Sequence, residues 1–255
     1  MEPLPADISV LLQERQLDVA AEKLRERAIE AIAREDYYAA ISALMDLGSL
    51  EGQLAHDARC SVPILDLALA VSKKVNNPLR AQVQISRAML LKSQGDEVGA
   101  YQAIDDALVW ARQVADLQWE AHLLQHRLNL NLRHLIKRRS QQDLVSEVRN
   151  VVQAYQAAHD ANGQLRTLIG CAGQIALSNP SEAAKLLDEA EVLLDTVDSR
   201  LLERMPEEVF ASLVIPTNEL RITRTPQTED VKDQWRAKLG QARAMIAAKL
   251  AFKKS

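Results

Sequence analysis

The apolar and polar positions of the sequence repeat one figure four times. A small or aliphatic residue is followed eight positions later by a helix-capping residue. Apolar residues lie 12, 16 and 19 positions after the first residue. The four copies start at Ala28, Ala88, Leu132 and Cys171, and their capping residues are Asp36, Asp96, Ser140 and Asn179. Apolar residues three or four positions apart share one helix face, and the capping residue marks the start of a new helix. Each copy therefore predicts a helix, a short turn and a second helix packed on the first.

This pattern predicts helices from residue 18 to residue 197, and a short helix before them is left open. The expected bounds are 18–34, 36–47, 50–76 (bent or broken near Pro63), 78–93, 96–115, 117–138, 140–161, 163–178 and 179–197. Because the connections are short, successive helices should be antiparallel neighbours. The caps at 96, 140 and 179 are 44 and 39 residues apart, but 60 residues separate Asp36 from Asp96, so an additional helix or an irregular unit is expected there.

The helical pattern stops near residue 197. Pro206, Pro216 and several Thr follow, which is typical of a loop. A last amphipathic helix is then predicted, whose apolar positions are Val231, Trp235, Leu239, Ala242, Ile246 and Leu250. We expect three parts: a repeat domain at 1–200, an irregular linker at 201–227, and a C-terminal helix at 228–252 that caps the repeats.

Composition supports an all-α protein. The 255 residues include only eight Gly and eight Pro, and 4% are aromatic, whereas the good helix formers dominate. A net charge of −4 argues against bulk nucleic-acid binding. Two cysteines without metal-ligand spacing indicate a reducing compartment. With no signal-peptide pattern and no run of 18 apolar residues, we expect a soluble cytoplasmic protein without a membrane span.

The copy around Ala88 resembles the tetratricopeptide repeat. Ala88 and Ala100 are the small residues that let two helices approach, Gly95-Asp96 forms the turn, and Ile104 and Ala107 fill the groove beside them. The resemblance covers about residues 20–197. It departs from the standard pattern in a period of about 40 residues rather than 34, in Gln84 at an aromatic position, and in the missing closing proline. It implies a right-handed α-α superhelix, a TPR-like solenoid of antiparallel helical hairpins with a C-terminal capping helix.

In that family the first helix of each repeat lines a concave surface. Carried over to this chain, the partner-binding positions of the second and third copies include Gln82, Met89, Lys92, His126, Asn129, Arg133 and Lys137. The same positions of the fourth copy are apolar: Leu165, Leu168, Ala172, Ile175 and Ala176. The implied function is a non-enzymatic adaptor or scaffold that holds a peptide or helix of another protein. A ligand- or peptide-responsive regulator is the alternative, and an enzyme or a nucleic-acid-binding protein ranks below both.

Two charge asymmetries refine this picture. Residues 121–140 hold five Lys or Arg, three His and no acid. They predict either an anion-binding face for an acidic peptide or a C-terminal carboxylate, or a solvated face paired with acidic neighbouring helices. Residues 181–210 hold nine acids against three bases, and 236–255 hold six bases and no acid. These two segments would pair within one chain, by docking of the last helix, or between two chains in a homodimer.

The sequence predicts no catalytic residues, metal site or cofactor. His122 and His126 share a helix face, but neither Glu120 nor His134 completes a metal site with them. Cys171 lies among Gly170, Ala172 and Gly173, which favours a buried packing residue over a nucleophile. Neither a glycine-rich phosphate loop nor a nucleophile elbow occurs.

Overall fold

The computed structural model describes residues 6–54, 58–74, 78–138, 141–176, 179–202 and 231–252. Within these ranges the secondary structure is helical throughout, without strands, as the sequence predicts. The α-helices are α1 (Ala6–Gln13), α2 (Leu17–Ala33), α3 (Tyr37–Leu54), α4 (Val62–Lys74), α5 (Leu79–Ser93), α6 (Glu97–Gln113), α7 (Leu117–Arg138), α8 (Gln141–Ala157), α9 (Ala161–Ile175), α10 (Pro180–Thr196) and α11 (Val231–Phe252). Short 3-10 turns occupy Ala58–Ser61 and Ser199–Leu201.

The region between Asp36 and Asp96 contains the additional helix that the long interval between these caps predicts. This helix is α4, which packs on α3 before it and on α5 after it. The expected helix end at residue 47 is wrong, because α3 continues to Leu54. Gly48 lies inside α3, and a side chain there would place its Cβ 3.3 Å from Leu65 Cδ2 of α4. The glycine therefore allows α3 and α4 to approach closely and does not terminate the helix.

One turn geometry recurs at four described connections that contain an aspartate, and also between α1 and α2, where Arg15 has a φ of 58° and Gln16 follows it. Glu35, Gly95, Ala115 and His159 have φ values of 57°, 82°, 55° and 54°, and the residue after each is an aspartate. At α5, for example, the Asp96 N–H donates to Leu91 O at 2.9 Å and the Gly95 N–H donates to Lys92 O at 3.0 Å. Such paired bonds to a left-handed residue close a helix C-terminus.

The aspartate of each such turn also caps the following helix. Its carboxylate accepts a hydrogen bond from the backbone N–H three residues on, at 3.1 Å for Asp36, 2.9 Å for Asp96, 3.0 Å for Asp116 and 2.8 Å for Asp160. Asn179 caps α10 in the same way, at 3.2 Å from Glu182 N. The predicted caps at 36, 96 and 179 are thus confirmed, whereas Ser140 and Asn77 lie outside the described residues.

The chain divides into two compact units, Met1–Leu130 and Asn131–Ser255. The core of the first unit is rich in alanine at helix contacts: Ala28, Ala40, Ala88 and Ala100 are at most 2% exposed. These are the small residues of the repeated figure. Ile41, Ile104 and Leu108 fill the space beside them and are also buried.

The second unit is built around α9, which contacts α8, α10 and α11. None of its side chains from Ala161 to Ile175 is classed as exposed. Arg149 of α8 forms ion pairs with Glu182, at 3.8 Å, and with Glu189, both on α10. α9 is therefore an interior helix of this unit.

Candidate partner-binding surfaces

The structure brings predicted partner-binding residues of two successive repeats together in the first unit. The Lys92 ammonium of α5 donates a hydrogen bond to the Asn129 carbonyl oxygen of α7 at 3.1 Å. The Gln125 amide donates to Asn129 Oδ1 at 3.1 Å and thereby orients that side chain. Sequence reasoning did not select Gln125, although its spacing of four residues from Asn129 places both on one helix face. We call Gln82, Met89, Lys92, His126 and Asn129 the α5–α7 surface.

The residues of the α5–α7 surface differ in their exposure. Met89 is 60% exposed and is one of eleven exposed large apolar side chains among the described residues of the first unit. Asn129 is also exposed, and Gln82, Lys92 and His126 are half-buried. Ile85 occupies a further groove position of the resemblance, but it is 9% exposed and belongs to the core between α5 and α6.

The cationic side chains of α7 are not all available to a partner, because Arg127 is paired within the chain. Arg127 forms an ion pair with Asp105 of α6 at 3.3 Å, which agrees with the alternative of pairing with neighbouring acids. Burial lowers the pKa of His126, and the nearby His122 lowers it further. His122 also stacks edge-to-face with Trp119, with ring centroids 5.9 Å apart. The backbone of Arg133 and Lys137 is part of α7, but their side chains lie outside the described residues.

The fourth copy offers no open groove at its predicted positions. Leu165, Leu168, Ala172, Ile175 and Ala176 are at most 2% exposed. A groove lined by these side chains is therefore a wrong expectation for this repeat, because they form the interior of the second unit.

The acidic and basic segments near the C-terminus pair within the chain. Arg236 of α11 lies 3.1 Å from Asp195 of α10, and Arg243 lies 2.8 Å from Asp188 and 2.7 Å from Glu191. A hollow of about 270 Å³ lies at this junction, lined by Pro180, Ala184, Leu187, Asp188, Arg243, Ile246 and Ala247. Docking of the last helix on its own chain, one of the two predicted outcomes, is what the structure shows.

The described ranges contain no candidate metal centre. Among those residues, no three His, Cys, Asp or Glu side chains are placed to hold a metal ion. Cys171 is buried, and burial raises the pKa of its thiol to about 12, as befits a packing residue. No helix in the described part of the chain is long and apolar enough to cross a membrane.

The solved structures that are similar to this chain include two with TPR-like repeats. Nearly identical TPR-like repeats, described as a kinesin light chain of Podosopora anserina, match it with a TM-score of 0.50 and 16% identity, over 73% of this chain and 90% of that one. A point variant of those repeats gives a TM-score of 0.51 at the same identity and coverage. The chain has a TPR-like fold. No model of a known protein family and no curated protein matches this chain.

Proposed function

We propose that this TPR-like protein is a non-enzymatic adaptor that binds a segment of another protein on the α5–α7 surface. The observation that carries the proposal is the position of Met89, an exposed large apolar side chain on the same helix as Lys92, which reaches Asn129 of the next repeat. Exposed methionines suit adaptable binding surfaces, since the side chain is flexible and polarizable. The α5–α7 surface therefore combines an apolar anchor with a cation and an amide.

This chemistry favours an acidic peptide or a C-terminal carboxylate as the partner. A carboxylate would accept charge-assisted hydrogen bonds from the Lys92 ammonium, and the exposed Asn129 amide would supply a neutral donor. An apolar side chain of the partner would cover Met89. Arg133 and Lys137 remain predicted partner-binding positions of the third copy.

The second candidate function is a ligand-responsive regulator, which would need an enclosed pocket. Ligand pockets are usually about 300–1,000 Å³, and the α10–α11 hollow of about 270 Å³ is smaller. The adaptor is our main proposal, because Met89 is exposed on the same helix as Lys92. With it we propose the organisation expected from the sequence: repeats at 1–200, a linker at 201–227, a capping helix at 228–252, and a cytoplasmic location.

Site-specific photo-crosslinking tests the adaptor proposal. A photoreactive residue at Met89 is compared with one at Val98, which is 79% exposed on α6 of the same unit. In extracts of the native host we expect a partner crosslinked at position 89 and absent at position 98, with the crosslink in an acidic segment or at a C-terminus. The Lys92→Glu substitution should weaken binding by at least about tenfold, or 1.4 kcal/mol. Equal crosslinking at the two positions, or unchanged affinity with Lys92→Glu, would rule the α5–α7 surface out.

A further inference from the structure

α11 is seated on the second unit through one apolar face. Trp235, Leu239, Ala242 and Ile246 are 1%, 4%, 7% and 8% exposed. Among the described elements, α11 contacts α9 and α10. The spacing of these four side chains is that of a single helical stripe. α9 and α10 therefore present a surface that accepts an amphipathic helix.

The charges of that surface favour a basic helix and determine its direction relative to α10. Asp188, Glu191 and Asp195 form a row on α10, which we call the acidic row. Arg236 pairs with Asp195 at the C-terminal end of this row, and Arg243 pairs with Asp188 and Glu191 nearer its N-terminal end. α11 therefore runs antiparallel to α10. The side chains in these pairs are 41–69% exposed, and such pairs contribute little to stability. They do disfavour an acidic helix, because like charges would then face each other.

α11 does not fill the surface that it occupies. The hollow of about 270 Å³ remains beside Leu187, where α11 presents the short side chain of Ala247. Trp235 is buried, and its Nε1 donor has no hydrogen-bond partner among the described residues, which lowers the stability of the docked helix. A helix with a longer apolar side chain in place of Ala247 would fill more of the hollow and fit the same surface better.

We propose that the α9–α10 face is a binding site for a basic amphipathic helix of a second protein, and that α11 is its occupant in cis. The partner helix carries apolar residues at the spacing of Trp235, Leu239, Ala242 and Ile246, and cations seven residues apart like Arg236 and Arg243. This site is separate from the α5–α7 surface and takes the opposite charge. The 28 residues between Leu202 and Val231 keep α11 at a high effective concentration. A partner must therefore bind more tightly than α11, and the hollow is where the added affinity arises.

A synthetic helix of residues 231–252 with Ala247→Leu serves as the probe. Its binding to the full chain is measured by fluorescence anisotropy, and the amide protection of α11 in the chain is followed by hydrogen exchange. We expect the probe to bind the full chain carrying R236E and R243E at least tenfold more tightly than the unsubstituted chain, because the resident helix is then weakened. Bound probe should release the amides of α11 in the unsubstituted chain. The unsubstituted helix 231–252 should bind more weakly than the probe.

Charge reversal of the acidic row supplies the decisive control. The full chain with D188K, E191K and D195K should lose probe binding, whereas Arg34→Glu, at an exposed arginine of the first unit, should leave binding unchanged. Circular dichroism and the melting temperature establish that each variant is folded. The proposal is overturned if the probe fails to bind the R236E/R243E chain, if the acidic-row variant binds it equally well, or if α11 stays protected. Dimers of the unsubstituted chain with exchanged α11 helices would also overturn it, because the occupant would then be a second copy.

Discussion

The aromatic ring of Tyr155 lies directly against the backbone of Gly163. Tyr155 is near the end of α8 and is 4% exposed, and any Cβ at position 163 would overlap the ring carbons. Asp160, between the two residues, donates its N–H to Tyr155 O at 2.9 Å and accepts the Gly163 N–H at 2.8 Å. The turn, the cap and the close helix contact therefore depend on one another.

Gly163→Ala should destabilise the protein by about 1–3 kcal/mol, because the ring of Tyr155 must move out of a packed core. Gly173→Ala in the same helix is the matched control, since a Cβ there meets nothing within 4 Å. It should stabilise by about 0.5–1 kcal/mol, because alanine favours the helix. Urea unfolding monitored by circular dichroism measures both changes. Equal effects of the two substitutions would contradict the close contact.

Ala115→Gly should stabilise the protein by about 0.5–1 kcal/mol. Ala115 has a φ of 55°, which costs an alanine free energy and costs glycine none. The reverse change, Gly95→Ala at a φ of 82°, should destabilise by a similar amount although its Cβ has open space. Thermal unfolding of the two variants, compared with the parent chain, measures the opposite signs. A loss of stability in Ala115→Gly would contradict the shared turn geometry.

Stability should fall as the pH is lowered below about 6.5, in part through His126. Its folded pKa lies below the ordinary value of 6.5, because burial and His122 disfavour the charged ring. Between the two pKa values the unfolded chain binds more protons than the folded chain, so the free energy of unfolding decreases as the pH falls. Urea titrations at several pH values measure this slope. His126→Gln should flatten it, whereas His159→Gln, at an exposed histidine of the α8–α9 turn, is the control; an unchanged slope in His126→Gln would refute the assignment.

The two cysteines should differ in reactivity. Cys60 is exposed in a 3-10 turn, and the thiol of Cys171 is buried with a pKa of about 12. A disulfide reagent at pH 8 should therefore modify Cys60 rapidly and Cys171 only after denaturant is added, because the thiolate is the reactive form. Cys60→Ser should remove the fast phase. Two rapid thiols in the folded chain would show that Cys171 is accessible.

The sequence predicts most of this fold because helix starts carry a local signal. Asp36, Asp96 and Asn179 have short polar side chains that satisfy free N–H groups, so their role can be read from residue type and spacing. Asp116 and Asp160 cap helices equally well but lie outside the repeated figure that singles out Asp36, and Ala115 and His159 before them are left-handed without being glycine or asparagine. Nothing in residue type alone identifies such turns.

The candidate surfaces are harder to predict from the sequence, because the exposure of a side chain depends on its tertiary neighbours. Met89 and Ile85 lie on one helix at positions that the resemblance treats alike, yet one is 60% exposed and the other is in the core. Leu168 likewise reads as a groove residue until α8, α10 and α11 are placed around α9. By contrast, the charge pattern predicts the pairing of Arg243 with the acidic row. Residues 181–210 are rich in acids, and residues 236–255 contain bases and no acid.

The recurrent turns have a consequence for how chains of this kind can diverge in length. At Asp96, for example, the bonds that define the turn run from Leu91 to Gly99, and they do not involve the middle of either helix. A whole helical turn of 3.6 residues can thus be gained or lost within a helix such as α6, which has such a turn at each end, while both of its junctions stay intact. Relatives of this chain should therefore align junction by junction, with insertions of three or four residues inside helices, and not at a constant period.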